Sequence, residues 1–454
     1  MNAQIKAVDG TYAGTTAQEA ADWLSANASG TGTATIVSSS DAFGKIASAL
    51  RAAGVSATSV PLDTATTLNS GYWLFVTTTT STSGATDQVG TAPIYAVVGG
   101  SAVTVDQKSD LPTVNKYVQN DAAGSSWKSY ADSQMSQSIN YKLVGTVADV
   151  ISSYDTYHYY FTDVLGSGLT YDDGSVKVTV SESGSSTEKT VNAASYTASL
   201  ASDTNTLTVD FPDLKTITDT SGSAITVDAN TVVTVYYTAH LNKNAVMASE
   251  HNDNTVTLTY SNNPGVDSEG STTPATVRDY SYQLNLTKVD SANSTTTLAG
   301  ANFTIQATGA DEGAGTQYVQ ADGSLGTDAH EFTTDDSGSI VVKGLDAGTY
   351  TVVETKAPDG YNTVKDFTFT ILPVYNDATG DLTRLTANTN SSSVVAGVDE
   401  STDAVNVVVK DKAGISLPLT GQAGITIAWV AGGALLVLGV AHLVRSRRRD
   451  ERAE

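Results

Sequence analysis

The sequence contains no cysteine among its 454 residues. Disulfide bonds, thiol nucleophiles and cysteine-ligated metal sites are therefore excluded together. The 5 histidines are scattered without a metal-binding spacing. No glycine-rich phosphate loop, HExxH helix or GxSxG turn occurs either. We therefore expect no enzyme, no cofactor and no bound metal ion.

Charged residues are few and mostly acidic. They make up 16% of the chain, and 24 Lys and Arg stand against 48 Asp and Glu, a net charge of −24. A surface of this charge repels phosphate backbones, which excludes nucleic acid as a partner. The polar remainder is rich in Ser, Thr, Asn and Gly, and the frequent Thr and Val favour β-strands.

The hydrophobic pattern predicts three folded units and a C-terminal tail. Residues 1–109 combine two stretches of helical periodicity with strands, which indicates a mixed α/β domain. Residues 110–272 and 273–416 alternate apolar and polar positions between turn residues, so each predicts a β-sandwich. We interpret 264–274, a stretch bounded by prolines, as the linker between them. The fold class is therefore mainly β.

The C-terminal tail, residues 417–454, has the composition of a membrane anchor. Residues 425–444 carry no formal charge and are long enough to span a bilayer, and the basic sequence RSRRR follows. The pattern predicts a transmembrane helix that retains the chain at the membrane. Because such a protein must be exported and MNAQIKAVDGTY is not a signal peptide, we expect that a leader has been removed.

The pentapeptide LPLTG stands directly before the apolar run and consists of Leu417, Pro418, Leu419, Thr420 and Gly421. With the apolar helix and the basic tail it resembles the cell-wall sorting signal of Gram-positive surface proteins. The resemblance implies that a sortase cleaves between Thr420 and Gly421 and passes the threonine to an amine. In this reading the chain is the substrate, and the nucleophile belongs to sortase.

The preceding domains resemble those of sortase-assembled backbone (major) pilins. PTVNKYV, YYFTDVLGSGLTY and NTVTLTYSNNP are similar to segments of the D2-type isopeptide domain. LNLTKVD, LAGANFTI and YTVVETKAPDGY are similar to segments of Cna-B/SpaA-type domains. In these families a lysine amine forms an amide with an Asn or Asp side chain, promoted by a neighbouring carboxyl group. The resemblance implies one such link in each β-sandwich.

Strand parity identifies five polar residues on faces that are otherwise apolar: Lys116, Asp163, Asn254, Lys288 and Glu354. Isolated buried charges are costly, so this pattern favours mutual pairing. The resemblance implies a Lys116–Asn254 link with Asp163 as the promoting acid. It also implies a link from Lys288 promoted by Glu354. For each lysine the alternative is an ordinary strand residue whose amine reaches solvent.

The acceptor for Lys288 has two candidates on the last strand, VNVVVKD. Parity places Asp411 with the inward valines, whereas Asn406 falls on the other face. We favour Asp411 and keep Asn406 as the alternative. Asn252 and Asp253 are close enough in sequence to leave the first acceptor open as well.

The resemblance implies that a second, exposed lysine accepts the threonine of the next subunit, and we assign this role to Lys108. It ends the sequence VDQK at the junction of the first two domains, although the tyrosine and proline of the YPK-type motif are missing. Head-to-tail linkage through Thr420 gives a filament. The expected partners are identical subunits, minor or tip pilins, a pilus-specific and a housekeeping sortase, and peptidoglycan, in an extracellular, wall-anchored pilus. The alternative function is a minor pilin or monomeric adhesin that binds a host ligand.

Overall fold

The computed structural model describes the following parts of the chain: residues 1–27, 37–39, 41–61, 64–76, 93–99, 102–105, 112–119, 126–182, 187–264, 268–308 and 316–414. Lys108, the LPLTG motif at 417–421 and the apolar run at 425–444 lie outside these residues. Within them, no helix has both the length and the apolarity to cross a bilayer.

The N-terminal region is mixed α/β, as predicted. Three strands form an antiparallel sheet in the order β1-β3-β2, and helices pack on it around a small core that includes Ile5, Phe43 and Tyr95. The second helix begins at a capping box in which the Thr16 and Glu19 side chains each bond the other's backbone amide. The first helix was not predicted, because its seven residues bury only Ile5 and show no periodicity. The elements are α1 (Asn2–Val8), α2 (Ala17–Ala26), β1 (Val37–Ser39), α3 (Asp41–Ala52), β2 (Gly71–Phe75) and β3 (Ile94–Val98).

The next region is a β-sandwich of two seven-stranded sheets around one hydrophobic core. One sheet has the order β11-β10-β14-β7-β4-β5 with β9 beside β14, and the other has the order β12-β13-β8-β15-β17-β6 with β16 beside β15. The strands are β4 (Val114–Gln119), β5 (Trp127–Lys128), β6 (Tyr130–Asp132), β7 (Ser138–Thr146), β8 (Tyr159–Leu165), β9 (Leu169–Tyr171), β10 (Lys177–Ser181), β11 (Glu188–Thr190), β12 (Thr197–Ala201), β13 (Thr206–Phe211), β14 (Val232–Leu241), β15 (Asn252–Ser261), β16 (Glu269–Ser271) and β17 (Ala275–Tyr280). Short 3-10 helices occupy Ile151–Ser153, Ala193–Ser195 and Leu214–Thr216.

The segment interpreted as a linker, 264–274, contains strand β16, which pairs with β15. The following strand β17 also pairs with β15 and runs parallel to β6. The boundary predicted between 272 and 273 therefore falls inside this sheet, and the hydrogen-bonded strands of the first sandwich continue to Tyr280. The linker was wrongly predicted because a short edge strand rich in Gly, Ser and Thr has the same composition as a linker.

The second β-sandwich packs a four-stranded sheet, in the order β23-β18-β28-β27, against a seven-stranded sheet. The larger sheet has the order β21-β20-β19-β24-β25-β26 with β22 beside β19. The prediction of a mainly β chain with successive β-sandwiches is confirmed. The strands are β18 (Tyr282–Asp290), β19 (Asn302–Ala307), β20 (Gln317–Val319), β21 (Leu325–Gly326), β22 (Phe332–Thr333), β23 (Ser339–Leu345), β24 (Gly348–Lys356), β25 (Phe367–Tyr375), β26 (Leu382–Thr389), β27 (Val394–Asp399) and β28 (Ala404–Asp411).

The two sandwiches meet through buried polar contacts. Ser281, the single residue between β17 and β18, donates its hydroxyl to the carbonyl oxygens of Ser133 (2.9 Å) and Leu345 (3.1 Å). The turn between β25 and β26 reaches back to the first sandwich, where its Gly380 carbonyl accepts the Tyr280 hydroxyl at 2.9 Å. Hydrogen bonds on both sides of a one-residue connection restrict bending at this junction.

Candidate functional site

Strand alternation buries a lysine, a carboxylate and an amide in the centre of the first sandwich. Lys116 on β4 lies on one sheet, and Asp163 on β8 and Asn254 on β15 lie on the facing sheet. Lys116 is 4% exposed, and Asp163 and Asn254 are fully buried. With Tyr237 on β14 these residues form the Lys116 cluster. A bond from Lys116 to Asn254 would join the two sheets.

The Tyr237 hydroxyl hydrogen-bonds to each of the other three members of the Lys116 cluster. The Lys116 Nζ lies 2.5 Å from each carboxylate oxygen of Asp163 and 3.0 Å from the Tyr237 hydroxyl. That hydroxyl donates to Asp163 Oδ2 at 2.6 Å and accepts from Asn254 Nδ2 at 2.6 Å. Asn254 Oδ1 is buried without a hydrogen-bond partner. An amide with a free carbonyl oxygen beside a buried amine is arranged for acyl transfer.

Burial brings the Lys116 amine closer to its neutral, nucleophilic form. The rings of Tyr141 and Tyr237 stack 5.2 Å apart, and Lys116 Nζ lies 5.4 Å from each ring centroid. Burial lowers the pKa of the Lys116 amine to about 8, and the attraction of Asp163 offsets part of that shift. The amine is therefore much closer to neutrality at physiological pH than an exposed lysine.

The other acceptors that the sequence left open do not reach Lys116. Asn252 is also buried, but its side chain bonds backbone groups of Val246 and Asp279 at 3.1–3.2 Å. Asp253 lies on the exposed face of β15, where it pairs with His251 at 2.8 Å. Of the three candidates, the geometry favours Asn254.

A second buried lysine, Lys288 on β18, lies in the second sandwich. Asp411 on the parallel neighbour β28 contacts its amine directly, and Glu354 Oε1, on β24 of the facing sheet, lies 2.8 Å away. Lys288 and Asp411 are fully buried and Glu354 is 6% exposed. The Phe303 ring centroid lies 5.2 Å from the amine. Lys288, Glu354 and Asp411 form the Lys288 cluster.

Burial favours the protonated form of both carboxyl groups in the Lys288 cluster. It raises the pKa of Glu354 to about 7, although Lys288 and the Val364 amide, which donates to Oε2 at 2.8 Å, act in the opposite direction. Burial also raises the pKa of Asp411 against the effect of Lys288. A protonated Glu354 can polarise the Asp411 carbonyl and supply a proton to a leaving oxygen.

The alternative acceptor Asn406 lies away from this cluster. It faces the other side of β28 and accepts a hydrogen bond from Asn285 Nδ2 at 3.1 Å. Parity separates the two candidates because residues five positions apart on one strand face opposite sides. The geometry therefore favours Asp411.

Comparison with known proteins finds a family model that matches part of the chain. Residues 282–384 match the family model of the SpaA prealbumin-like fold domain. The second sandwich is therefore similar to a SpaA-type domain over these residues. Lys288 and Glu354 lie within the match, whereas Asp411 lies beyond its end. No curated protein sequence matches the chain.

Solved structures with a related fold are pilus backbone proteins. The T6 backbone pilin of serotype M6 Streptococcus pyogenes is 18% identical over 83% of this chain and 89% of its own, with a TM-score of 0.51. The full-length major pilin SpaD from Corynebacterium diphtheriae is 18% identical, covers 74% of this chain and 78% of its own, and has a TM-score of 0.44. The group B streptococcus pilus 2b backbone protein is 22% identical over 63% of this chain and 97% of its own, with a TM-score of 0.45. The likeness to the T6 pilin shows that the chain shares its fold.

One residue of the Lys116 cluster was missed by sequence reasoning. Tyr237 shares the inward face of β14 with Val233 and Val235, so its pattern is that of a core aromatic. Only the packing of the two sheets shows that its hydroxyl hydrogen-bonds to three polar groups.

The acidic turn at Asp335 and Asp336 does not belong to a group of metal ligands in the described structure. Asp335 accepts hydrogen bonds from backbone amides, and no group of three His, Asp or Glu in the described parts of the chain is suited to hold a metal ion.

Proposed function

We propose that the chain is the backbone subunit of a covalent pilus, stabilised by a Lys116–Asn254 and a Lys288–Asp411 isopeptide bond. The observation that carries the proposal is the presence, in each of two successive sandwiches, of a buried lysine in contact with a carboxyl group and beside a side-chain acyl group. An unlinked buried lysine and its partners would lower stability compared with apolar residues. A covalent amide removes that cost.

The two links form by the same acyl substitution with different leaving groups. The neutral lysine Nζ attacks the side-chain Cγ, a carbon–nitrogen bond forms, and one amine proton moves to the departing group. Asn254 releases ammonia and Asp411 releases water. Asp163 and Glu354 promote the steps as acids, and burial excludes the water that would compete as a nucleophile.

Polymerisation uses residues outside the described parts of the chain. A pilus sortase cleaves LPLTG between Thr420 and Gly421, and Lys108 of a second copy accepts Thr420. The charge-free stretch 425–444 and the following arginines hold the precursor at the membrane until then. A housekeeping sortase then joins the fibre to peptidoglycan, and minor pilins take the remaining positions. The chain is thus a sortase substrate and not an enzyme, and it lies in an extracellular pilus.

Intact mass tests the internal links directly. The secreted domains, residues 1–416, are expected to weigh less than the sequence mass by about 17 Da for the ammonia and about 18 Da for the water. Peptide mapping should identify Lys116 joined to Asn254 and Lys288 joined to Asp411. An unmodified mass would refute both links.

A ladder assay tests the shaft function. Wild-type cells should yield SDS-resistant multimers, and Lys108→Ala should reduce them to a single wall-linked species. Lys177→Ala, which removes an exposed lysine at the start of β10, is the matched control and should retain the ladder. If wild-type cells yield a single wall-linked species and no ladder, the result would instead favour the anchored adhesin.

A further inference from the structure

The Tyr237 hydroxyl is the group that connects the acid of the Lys116 cluster to the amide. It accepts hydrogen bonds from Lys116 Nζ at 3.0 Å and Asn254 Nδ2 at 2.6 Å, and donates to Asp163 Oδ2 at 2.6 Å. These three contacts use its proton and both lone pairs. Because the hydroxyl donates its proton to Asp163, its oxygen can only accept a hydrogen bond from the Asn254 amide. The Asn254 side chain therefore has to present its NH₂ group to Tyr237, which fixes its orientation.

Asp163 contacts the attacking nitrogen and makes no hydrogen bond to Asn254 in the structure. An Asn amide cannot leave as an anion at neutral pH, so Nδ2 must gain a proton before the carbon–nitrogen bond breaks. We propose that Tyr237 is a catalytic residue of the first link, which relays a proton from Asp163 to the departing Nδ2. The inference rests on the proposed Lys116–Asn254 bond.

The relay starts once a proton of Lys116 has passed to Asp163 Oδ2, which leaves Lys116 neutral and frees the Tyr237 proton to turn toward Nδ2. Attack of Nζ on Asn254 Cγ moves the carbonyl electron pair onto Oδ1 and leaves two protons on a positive Nζ. One of these passes to Asp163 Oδ1, while Asp163 Oδ2 gives its proton to the Tyr237 hydroxyl and the hydroxyl gives its own to Nδ2. The electron pair on Oδ1 then re-forms the carbonyl and ammonia departs, so Asp163 and Tyr237 return to their initial protonation states.

The neutral hydroxyl required for this relay is maintained by the site. Tyr237 is 2% exposed, and burial together with the Asp163 carboxylate raises its pKa well above the ordinary value. The hydroxyl therefore acts as a donor and acceptor and does not ionise. Its ring is held by stacking on Tyr141, so the hydroxyl has little freedom to leave the three partners.

The Lys288 cluster provides a contrast within the same chain. There Glu354 Oε1 lies 2.8 Å from Lys288 Nζ and Asp411 contacts the same amine, so the acid and the acyl group share one nitrogen. No tyrosine hydroxyl hydrogen-bonds to Lys288, Glu354 or Asp411 in the described structure. The second link is therefore expected to be independent of a hydroxyl relay.

The test compares Tyr237→Phe with Tyr159→Phe. Both variants lose one buried hydroxyl from the same core, but the Tyr159 hydroxyl donates to the Thr146 carbonyl at 3.0 Å, away from the cluster. Chains are quenched in denaturant during synthesis, before the links form, then refolded, and both links are followed by mass against time. Tyr237→Phe should slow the first link by about 100-fold, within the range of general acid–base catalysis, and leave the second unchanged. Tyr159→Phe should match the wild type.

Formation of the first link in Tyr237→Phe at the Tyr159→Phe rate would overturn the relay. A wild-type chain that never loses ammonia would instead remove the proposed bond, so the two failures are distinguishable. If near-UV circular dichroism shows that Tyr237→Phe does not fold, 3-fluorotyrosine replaces all tyrosines and changes the acidity of the hydroxyl. The ratio of the first to the second linking rate should then change, and an unchanged ratio would contradict the proposal.

Discussion

A buried charge lowers stability when its partner is removed. We therefore expect substitution of Asp163 to destabilise the first sandwich more than substitution of its other residues. Asp163→Ala removes both oxygens that contact Lys116. We expect the first link to be lost and the sandwich to lose about 3–5 kcal/mol of stability, as for other buried pairs that lose one member. Intact mass and urea unfolding measure these effects. The second link serves as the internal control, and a variant that still releases ammonia would exclude Asp163 as the promoting acid.

The two links should respond to pH in opposite directions. Lys116, whose pKa burial lowers to about 8, becomes a neutral nucleophile as pH rises through that value. Glu354, whose pKa burial raises to about 7, loses its acidic proton as pH rises through that value. The first link should therefore form faster, and the second more slowly, when denaturant-quenched chains are refolded at increasing pH. Mass against time measures both rates in one sample, and parallel pH profiles would contradict this assignment of roles.

At the scale of elements, the register of β18 and β28 decides which side chain Lys288 meets. The strands are parallel, with Lys288 opposite Val409 and Asp290 opposite Asp411, so Asp411 is the diagonal neighbour of Lys288. Asp411→Ala should abolish the loss of water, and the matched variant Asn406→Ala should retain it. Tandem mass spectrometry of the cross-linked peptide distinguishes the two. A link that survives Asp411→Ala and disappears in Asn406→Ala would reverse the assignment.

Gln134 connects the first sandwich to the second sandwich. It is 1% exposed, donates to the Gly323 carbonyl, and accepts from the Asp346 amide at 3.1 Å and the Tyr350 hydroxyl at 3.0 Å. Gln134→Ala should cost about 1–3 kcal/mol, because each group loses a buried partner. Thermal unfolding measures the loss. Gln306→Ala, a half-buried strand glutamine, should have a smaller effect, and equal effects would exclude a special role for this contact.

Period-two alternation was sufficient to predict many of the longer strands, such as β4, β15 and β18, and the inward position of Lys116, Lys288 and Asp411, because a packed core admits only one face of each strand. It could not predict which side chains of one sheet contact which side chains of the other. The contact of Tyr237 with Asn254 depends on how two sheets align, and no local pattern encodes that alignment. The same limit explains β17, whose partners β15 and β6 are distant in sequence.

At the scale of the whole molecule, the positions of the proposed links would decide how the chain carries tension. Lys288 lies on the first strand of the second sandwich and Asp411 on the last, and the two strands are adjacent and parallel. A pull on the two ends of this sandwich would enter through β18, cross the amide and leave after β28. Residues 289–410, which lie between the linked residues, would carry no tension. Strands pulled in this arrangement cannot separate unless a covalent bond breaks.

Single-molecule stretching of the second sandwich tests this load path. In the wild type we expect no unfolding step, because the link removes residues 289–410 from the stretched length. Asp411→Ala should release about 400 Å of chain, since extended residues span about 3.3–3.6 Å each. Asn406→Ala, which keeps the expected acceptor, should behave as the wild type. A release of this length from wild-type protein would mean that tension passes through the hydrogen bonds of the sheets, and that the sandwich is not the inextensible part of a fibre.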